Sequence, residues 1–435
     1  MVQFIRKAIT AFCLTGFLTL ANLPLLYAQT ADSVEPYSFR THTTSKLSGQ
    51  WADPFSYSGE PRSFKSFQIL PSLELTQKYT DNVLALDEAQ NPEGDFITVI
   101  SPAIDIIKNI RRHKFSLSLN SDIYQHWDKT SENVENYSAI LEGEIEAYRK
   151  LHFPFQLSYV DTHFSRINER RADATQVTTS PFNTKLLKAS TGVIYKPNRL
   201  QYNLGAEYEQ RRLENAVFTD GTLLQRNDRN VNNIGLNAEI SYQLKNNFAP
   251  FTQIGFEQQD FINEGNAAVT RNNNLIHGST GFKFNYKGIV QGALGIGLEK
   301  RSYEDSAIES VADYSFDSTI QWEPSAKTRF NFTANRTTLE DNELVSGLTK
   351  TYLEAQGQHE LQHDIFGRAS FSYSFDDFEE IDRQDTRFDG RLEMIKIINP
   401  RFQVGAEYHF IDRNSDIPSL NVRNNILMLR LKTNL

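Results

Sequence analysis

Val422-Arg-Asn-Asn-Ile-Leu-Met-Leu-Arg-Leu-Lys-Thr-Asn-Leu435 is the stretch whose reading decides the fold. From Leu427 onward it alternates strictly, with Leu427, Leu429, Leu431, Thr433 and Leu435 on one side and Met428, Arg430, Lys432 and Asn434 on the other. A helix repeats every 3.6 residues and cannot sort these residues onto two faces, whereas a strand, repeating every two, does so. The sequence finishes on an apolar residue with no polar tail, as the last strand of an outer-membrane barrel does. A half-buried strand of a soluble sandwich would read the same way, so the rest of the chain has to decide.

Working outward, the same alternation recurs. Leu200, Tyr202, Leu204, Ala206 and Tyr208 share a face against Gln201, Asn203, Gly205, Glu207 and Glu209. Ile234, Leu236, Ala238, Ile240 and Tyr242 oppose Asn233, Gly235, Asn237, Glu239 and Ser241, and Phe402, Val404, Ala406, Tyr408 and Phe410 oppose Gln403, Gly405, Glu407 and His409. The polar sides carry too many long charged groups for a protein core, where each buried carboxylate would need a partner. That predicts apolar side chains facing hydrocarbon and polar ones facing water.

About 18 such segments follow one another from Phe67 to Leu435, each near the length that crosses a bilayer with tilt. The connections between them alternate long and short: Asp81–Gly94 and Ile167–Thr184 are long, whereas Lys108–Arg112, Arg149–His152 and Lys287-Gly288 are short. Tight turns at one rim and longer polar loops at the other are the habit of transmembrane barrels. The expected fold is therefore all-β: a transmembrane antiparallel up-and-down β-barrel of about 18 strands, with 16 as the alternative count. An even count predicts both termini in the periplasm and the long loops outside the cell. Aromatic residues near strand ends, among them Tyr79, Phe96, Tyr208, Phe248, Tyr286, Tyr303, Trp322 and Tyr408, would form the two interfacial girdles.

Composition agrees with a greasy outside and a wet inside. Only 39% of residues are apolar, yet 12% are aromatic, with 30 Phe and 18 Tyr; mean hydropathy is −0.49. Arg6 and Lys7 precede an apolar run from Ala8 to Leu26, followed by the small residue Ala28, which is the layout of a secretory signal peptide over residues 1–28; an uncleaved anchor is the alternative. Cys13, the one cysteine, lies inside it, so the remainder can form no disulfide, thiol nucleophile or Cys-ligated metal site. Losing the two cations of that segment takes the formal charge from −9 to −11, which gives no general attraction to nucleic acid. Residues 29–66 are polar and without period, and read as a periplasmic N-terminal segment ahead of the barrel at 67–435.

Little in the sequence suggests catalysis, and no cofactor or metal site is expected. His277-Gly-Ser279 places a histidine and a serine on one strand face, but that face is the inner one, away from lipid. His359 and His363 have the spacing of a helical metal pair, yet fall at a strand end and a turn. The candidate functional residues are those expected to line the lumen: Glu142, Glu144, Glu207, Glu209, Arg211, Glu239, Glu257, Lys283, Glu299, Arg301, Arg387, Arg391, Glu407 and Arg430. Across the wider set of inward positions carboxylates outnumber bases, so a water-filled pore would favour cations or neutral sugars. Cross-strand ion pairing that stiffens the wall is the other reading of the same residues.

The first hairpin carries a resemblance. Pro71-Ser-Leu-Glu-Leu-Thr-Gln-Lys-Tyr-Thr-Asp-Asn-Val83, followed after a polar loop by Asp95-Phe-Ile-Thr-Val-Ile-Ser-Pro102, resembles the outer-membrane β-barrel porin family often encoded with exopolysaccharide or capsule export genes. The likeness covers the Tyr-x-Asp-Asn-apolar segment and the Ser-Pro of the second strand, and beyond them only strand rhythm. It implies a wide channel for a hydrophilic solute, with exopolysaccharide or capsular polysaccharide export as the leading role, and outer-membrane lipid, the polysaccharide and periplasmic export machinery as partners. A general or sugar-selective uptake porin is the alternative.

Overall fold

A computed structural model describes residues 62–64, 66–168, 177–245, 247–262, 270–339, 347–378 and 381–435. The signal-peptide expectation and most of the expected periplasmic segment lie outside these residues.

Among the described residues, eighteen antiparallel strands form one closed sheet, each paired with its neighbours in chain order. They are β1 (Phe67–Thr80), β2 (Asp95–Ile110), β3 (His113–His126), β4 (Val134–Tyr148), β5 (Leu151–His163), β6 (Asn183–Tyr195), β7 (Leu200–Leu213), β8 (Val231–Tyr242) and β9 (Phe248–Phe261). The second half comprises β10 (Asn273–Tyr286), β11 (Val290–Tyr303), β12 (Val311–Ser325), β13 (Thr328–Leu339), β14 (Leu348–Gln362), β15 (Ile365–Phe378), β16 (Gln384–Asn399), β17 (Phe402–Ser415) and β18 (Val422–Asn434). The larger of the two expected counts is the observed one.

Closure is made by β1 and β18, whose register runs from Ser72 opposite Asn434 to Thr80 opposite Ile426. The alternating C-terminal stretch thus leaves no free edge, because the first strand takes up its hydrogen bonds. Where β18 ends, with the Leu435 amide donating to the Pro71 carbonyl at 2.9 Å, a short strand at Arg62–Phe64 continues along β1. Residues 62–64 therefore belong to the sheet, inside the segment expected to precede it.

Connections at one rim run from two to five residues and at the other from five to nineteen. The short ones use the backbone geometry that hairpins require. Lys287 and Gly288 both have positive φ, 54° and 73°, and the Ile289 amide returns to the Tyr286 carbonyl at 2.9 Å, which matches the twist of the flanking strands. Register shifts beside four of the two-residue turns, at Glu146/Tyr148, Trp322/Ser325, Glu360/Gln362 and Ile397/Asn399, bend the wall at this rim. Proline interrupts the ladder where it must: Ser101 and Pro102 make no pair with β3, and the Ser101 hydroxyl instead donates to Asp122 at 2.5 Å.

The two faces differ as the alternation requires. Ile296, Leu298, Leu429 and Ile254 stand outside at 61–71% exposed, an arrangement stable only against hydrocarbon. Outward aromatics gather near both rims: Tyr79 on Phe96 at 4.9 Å and Phe96 on Trp127 at 5.5 Å by the long loops, Trp322 on Phe330 at 5.1 Å by the short turns.

Candidate functional site

Strand register puts all fourteen candidate residues on the face opposite the apolar band, since Glu207 lies across from Ser190 and Gly235, Glu239 from Asn203 and Gln253, and Glu407 from Glu393 and Met428. Most of them, however, do not stand free in a wet lumen. Glu142, Glu209, Glu239, Glu299 and Arg301 are 7% exposed or less. Glu207 meets Lys188 at 2.6 Å, Glu209 meets Arg211 at 2.8 Å, and Glu239 reaches past β9 to Lys283 at 2.6 Å. Arg430 bridges Glu393 and Glu407, and Glu393 also meets Arg368 at 3.2 Å. Arg387 pairs with Asp389 at 2.7 Å.

The remaining candidates are held by neutral groups or by histidine. Glu142 accepts from Gln156 at 2.7 Å, Glu257 accepts from Gln259 at 2.6 Å, and Glu144 sits 2.6 Å from His152. Arg301 donates to Asn273 at 2.5 Å and to the Thr338 carbonyl at 3.1 Å, while Glu299 accepts from the Thr337 hydroxyl at 3.3 Å. Of the fourteen, only Arg391, half-buried on β16, has a side chain with no hydrogen bond or ion pair to the described residues. Of the two readings of these residues, ion pairing that stiffens the wall describes most of them. The sheet brings opposite charges together on one face, so Glu207, Glu209, Glu239 and Glu407 are ion-paired within the wall, whereas Glu142 and Glu257 are held by amides alone.

The longest connection, between β5 and β6, is tied to other parts of the long-loop rim through its described ends. Its described ends fold inward at the long-loop rim. Arg166 is 7% exposed and clamps Glu132 through two bonds of 2.9 and 2.7 Å, planar fork against carboxylate; it also donates to the Thr178 carbonyl at 3.0 Å. Arg413 on β17, six strands away around the ring, donates to the Ile167 carbonyl at 3.0 Å. The same loop braces the one after β7: the Thr179 amide donates to the Val217 carbonyl at 2.8 Å, the Thr219 amide to the Val177 carbonyl at 3.0 Å, and the Arg226 guanidinium lies 3.8 Å from the Phe182 ring centre.

Beneath this loop a recess of about 750 Å³, its open mouth included, lies against the β16–β3 sector of the wall. Its wall is partly apolar, because Ile97 and Tyr124 line it as part of a buried inward cluster with Val99 and Val134. Four of its lining side chains are cations, Lys78, Arg166, Arg387 and Arg391, against one carboxylate, Glu132. His126 and His409 also line it, each directed to an aspartate outside the lining, Asp95 and Asp389, at 3.0 Å.

Of these, only Arg387 and Arg391 were among the fourteen candidates. Arg166, Glu132 and His126 sit in or beside loops, where no period marks a face. The one available signal was the length of the Ile167–Thr184 connection, since long loops in compact domains commonly carry function.

The expected non-sites can also be placed. His277 is 4% exposed, and its ring lies where a Cβ on Gly255 would stand, 2.0 Å from Cε1. His359 bonds Thr328 at 2.9 Å on β14, whereas His363 projects from the next turn with its side chain 92% exposed.

A closed antiparallel barrel, apolar outside and polar within, defines an outer-membrane channel protein lodged in the lipid of that membrane. Residues 54–435 match the family model described as "Putative beta-barrel porin 2", and the chain belongs to that porin family. Solved structures similar to it include a BenF-like porin from Pseudomonas fluorescens Pf-5 (7% identity, TM-score 0.48, covering 86% of this chain and 100% of that one). Others are OccAB3 of Acinetobacter baumannii (10%, 0.45, 84% and 99%) and OccK5 (OpdH) of Pseudomonas aeruginosa (8%, 0.43, 84% and 98%). With TM-scores below 0.5, these likenesses say nothing about what this chain passes. Among curated proteins none matches it.

Proposed function

We propose that the protein is a diffusion channel for small hydrophilic solutes, taken up across the outer membrane along the inner face that carries the fourteen charged candidates. The observation that carries this reading is the Arg413–Ile167 bond, which ties the described start of the β5–β6 loop to β17, six strands away around the long-loop rim. A narrowed mouth suits sorting of small molecules, whereas a conduit for a polymer gains from a wide one. In this reading residues 1–28 direct export, the short-turn rim and both chain ends face the periplasm, and the long loops face outward.

Polysaccharide export, and with it export-machinery partners, draws support only from the resemblance of the first hairpin. The Asp81 and Asn82 of that motif bond Asn425 and the Arg423 carbonyl at the closing seam, a structural task independent of any polymer. The deciding experiment pairs single-channel recording in planar bilayers with liposome swelling in small sugars. Uptake predicts conductance, swelling and unchanged secreted polymer in a deletion strain; loss of the polymer together with absent swelling would reverse the assignment.

A further inference from the structure

We propose that the recess under the β5–β6 loop is a binding subsite for a compact anionic group, carboxylate or phosphate, and that it makes the channel favour anionic solutes. The inference rests on the channel reading above and deepens it. Overall composition points the other way, toward cations, so the proposal depends on where charge sits and not on how much there is.

Three observations carry it. The lining holds four cations and a single carboxylate, and that carboxylate, Glu132, is 4% exposed and already bidentate with Arg166. The two acids flanking Arg391 on its strand are also engaged: Asp389 accepts from Arg387 through both oxygens, at 2.7 and 3.0 Å, and lies 3.0 Å from His409, while Glu393 is shared by Arg368 and Arg430. Arg391 stands between those two acids on β16, lines the recess, and its side chain makes no bond to the described residues.

A half-buried guanidinium keeps its charge under all ordinary conditions and presents paired donors that match two oxygens of a carboxylate or phosphate. In a partly enclosed recess its field is less screened than at an open surface. The neighbouring apolar residues, Ile411 and Ile426, would lie against the body of the solute while its charged end meets Arg391.

The test compares wild type, Arg391→Gln and Arg391→Lys in planar bilayers under a KCl gradient, then titrates in glucuronate or inorganic phosphate. Because the Arg391 side chain makes no bond to the described residues, Arg391→Gln should fold, which heat-modifiable gel migration verifies. Wild type is expected to be anion-selective and to be blocked by at least one of the two anions; block by glucuronate alone or phosphate alone assigns the class. Arg391→Gln should lower the chloride-to-potassium permeability ratio on the order of threefold, as loss of one unit charge in a narrow aqueous path predicts, and should abolish the block. Arg391→Lys should retain selectivity and weaken block.

Calorimetric titration of the same two anions into detergent-solubilised protein reads the subsite without conduction. Binding that disappears in Arg391→Gln, in a protein that does not conduct, would keep the subsite and sink the channel. Conductance with selectivity and anion binding unaltered by Arg391→Gln would overturn the subsite and leave the channel standing.

Discussion

Asp81 and Asn425, 344 residues apart in sequence, are joined by two side-chain-mediated bonds: the Asn425 amide donates to one carboxylate oxygen at 2.7 Å and its Nδ2 to the other at 2.6 Å. The Asp81 amide returns a third, to the Asn425 carbonyl at 3.2 Å. The pair sits just above the β1–β18 seam, so it latches the ring itself and not a local hairpin. Replacing Asp81 with Ala should therefore lower the temperature at which the folded gel band converts to the slow-migrating form. The expected cost is about 2–3 kcal/mol, that of hydrogen bonds to a charged acceptor; an unchanged conversion temperature would show that the backbone ladder alone closes the barrel.

Ile296, 69% exposed on the outer face near the middle of β11, tests which solvent that face meets. In lipid vesicles Ile296→Arg should destabilise folding by roughly 2–4 kcal/mol, the range for a cation at mid-bilayer depth. Thr333→Lys, on the inner face of β13, should cost far less in the same urea titrations. Equal costs would mean that no hydrocarbon surrounds the barrel.

Removing Arg166 leaves Glu132 buried without its bidentate partner and frees the Thr178 carbonyl. Arg166→Ala should detach the β5–β6 loop from the mouth and raise single-channel conductance, on the order of twofold if that loop is the narrowest point. Conductance at the wild-type level would place the constriction elsewhere.

Gly255 and His277 form a tight cross-strand fit, the imidazole filling the space that a side chain at 255 would need. Gly255→Ala should destabilise by about 1–3 kcal/mol through overpacking. Combining it with His277→Ala should recover most of that loss, since the two residues are in contact and their effects do not add. Additive losses would indicate that the clash is relieved by backbone movement.

Arg430 holds Glu393 and Glu407 together across β16, β17 and β18. Arg430→Met keeps the bulk and removes the charge, leaving two acids facing each other with side chains 8% and 9% exposed. The expected cost in a urea titration is about 3–5 kcal/mol. A variant as stable as wild type would mean that Arg368, which also meets Glu393 at 3.2 Å, and lumenal water hold the pair without Arg430.

The barrel was legible strand by strand because hydrocarbon on one side and polar groups on the other impose a period of two that no helix can imitate. Leu427, Leu429 and Leu431 outside, with Arg430 and Lys432 inside, already state which face is which, and the long-short rhythm of the connections states the topology. Even the latch at Asp81 and Asn82 was visible as a motif, although its partners were not. What alternation could not supply was distance between strands. Glu239 reads as a lumen acid in isolation, but its partner Lys283 lies two strands on, a neighbour only once the sheet is built.

The sequence by itself determined the class of fold, a choice between two strand counts and the inward direction of the fourteen charged residues, because each follows from local periodicity and the solvent it implies. Only the tertiary structure decided which of those charges cancel and which loop ends are tied across the ring. Cancellation depends on cross-strand register and on contacts such as Arg413 to Ile167, 246 residues apart. No local pattern encodes such long-range contacts, so the residue left over, Arg391, emerged only from the folded ring.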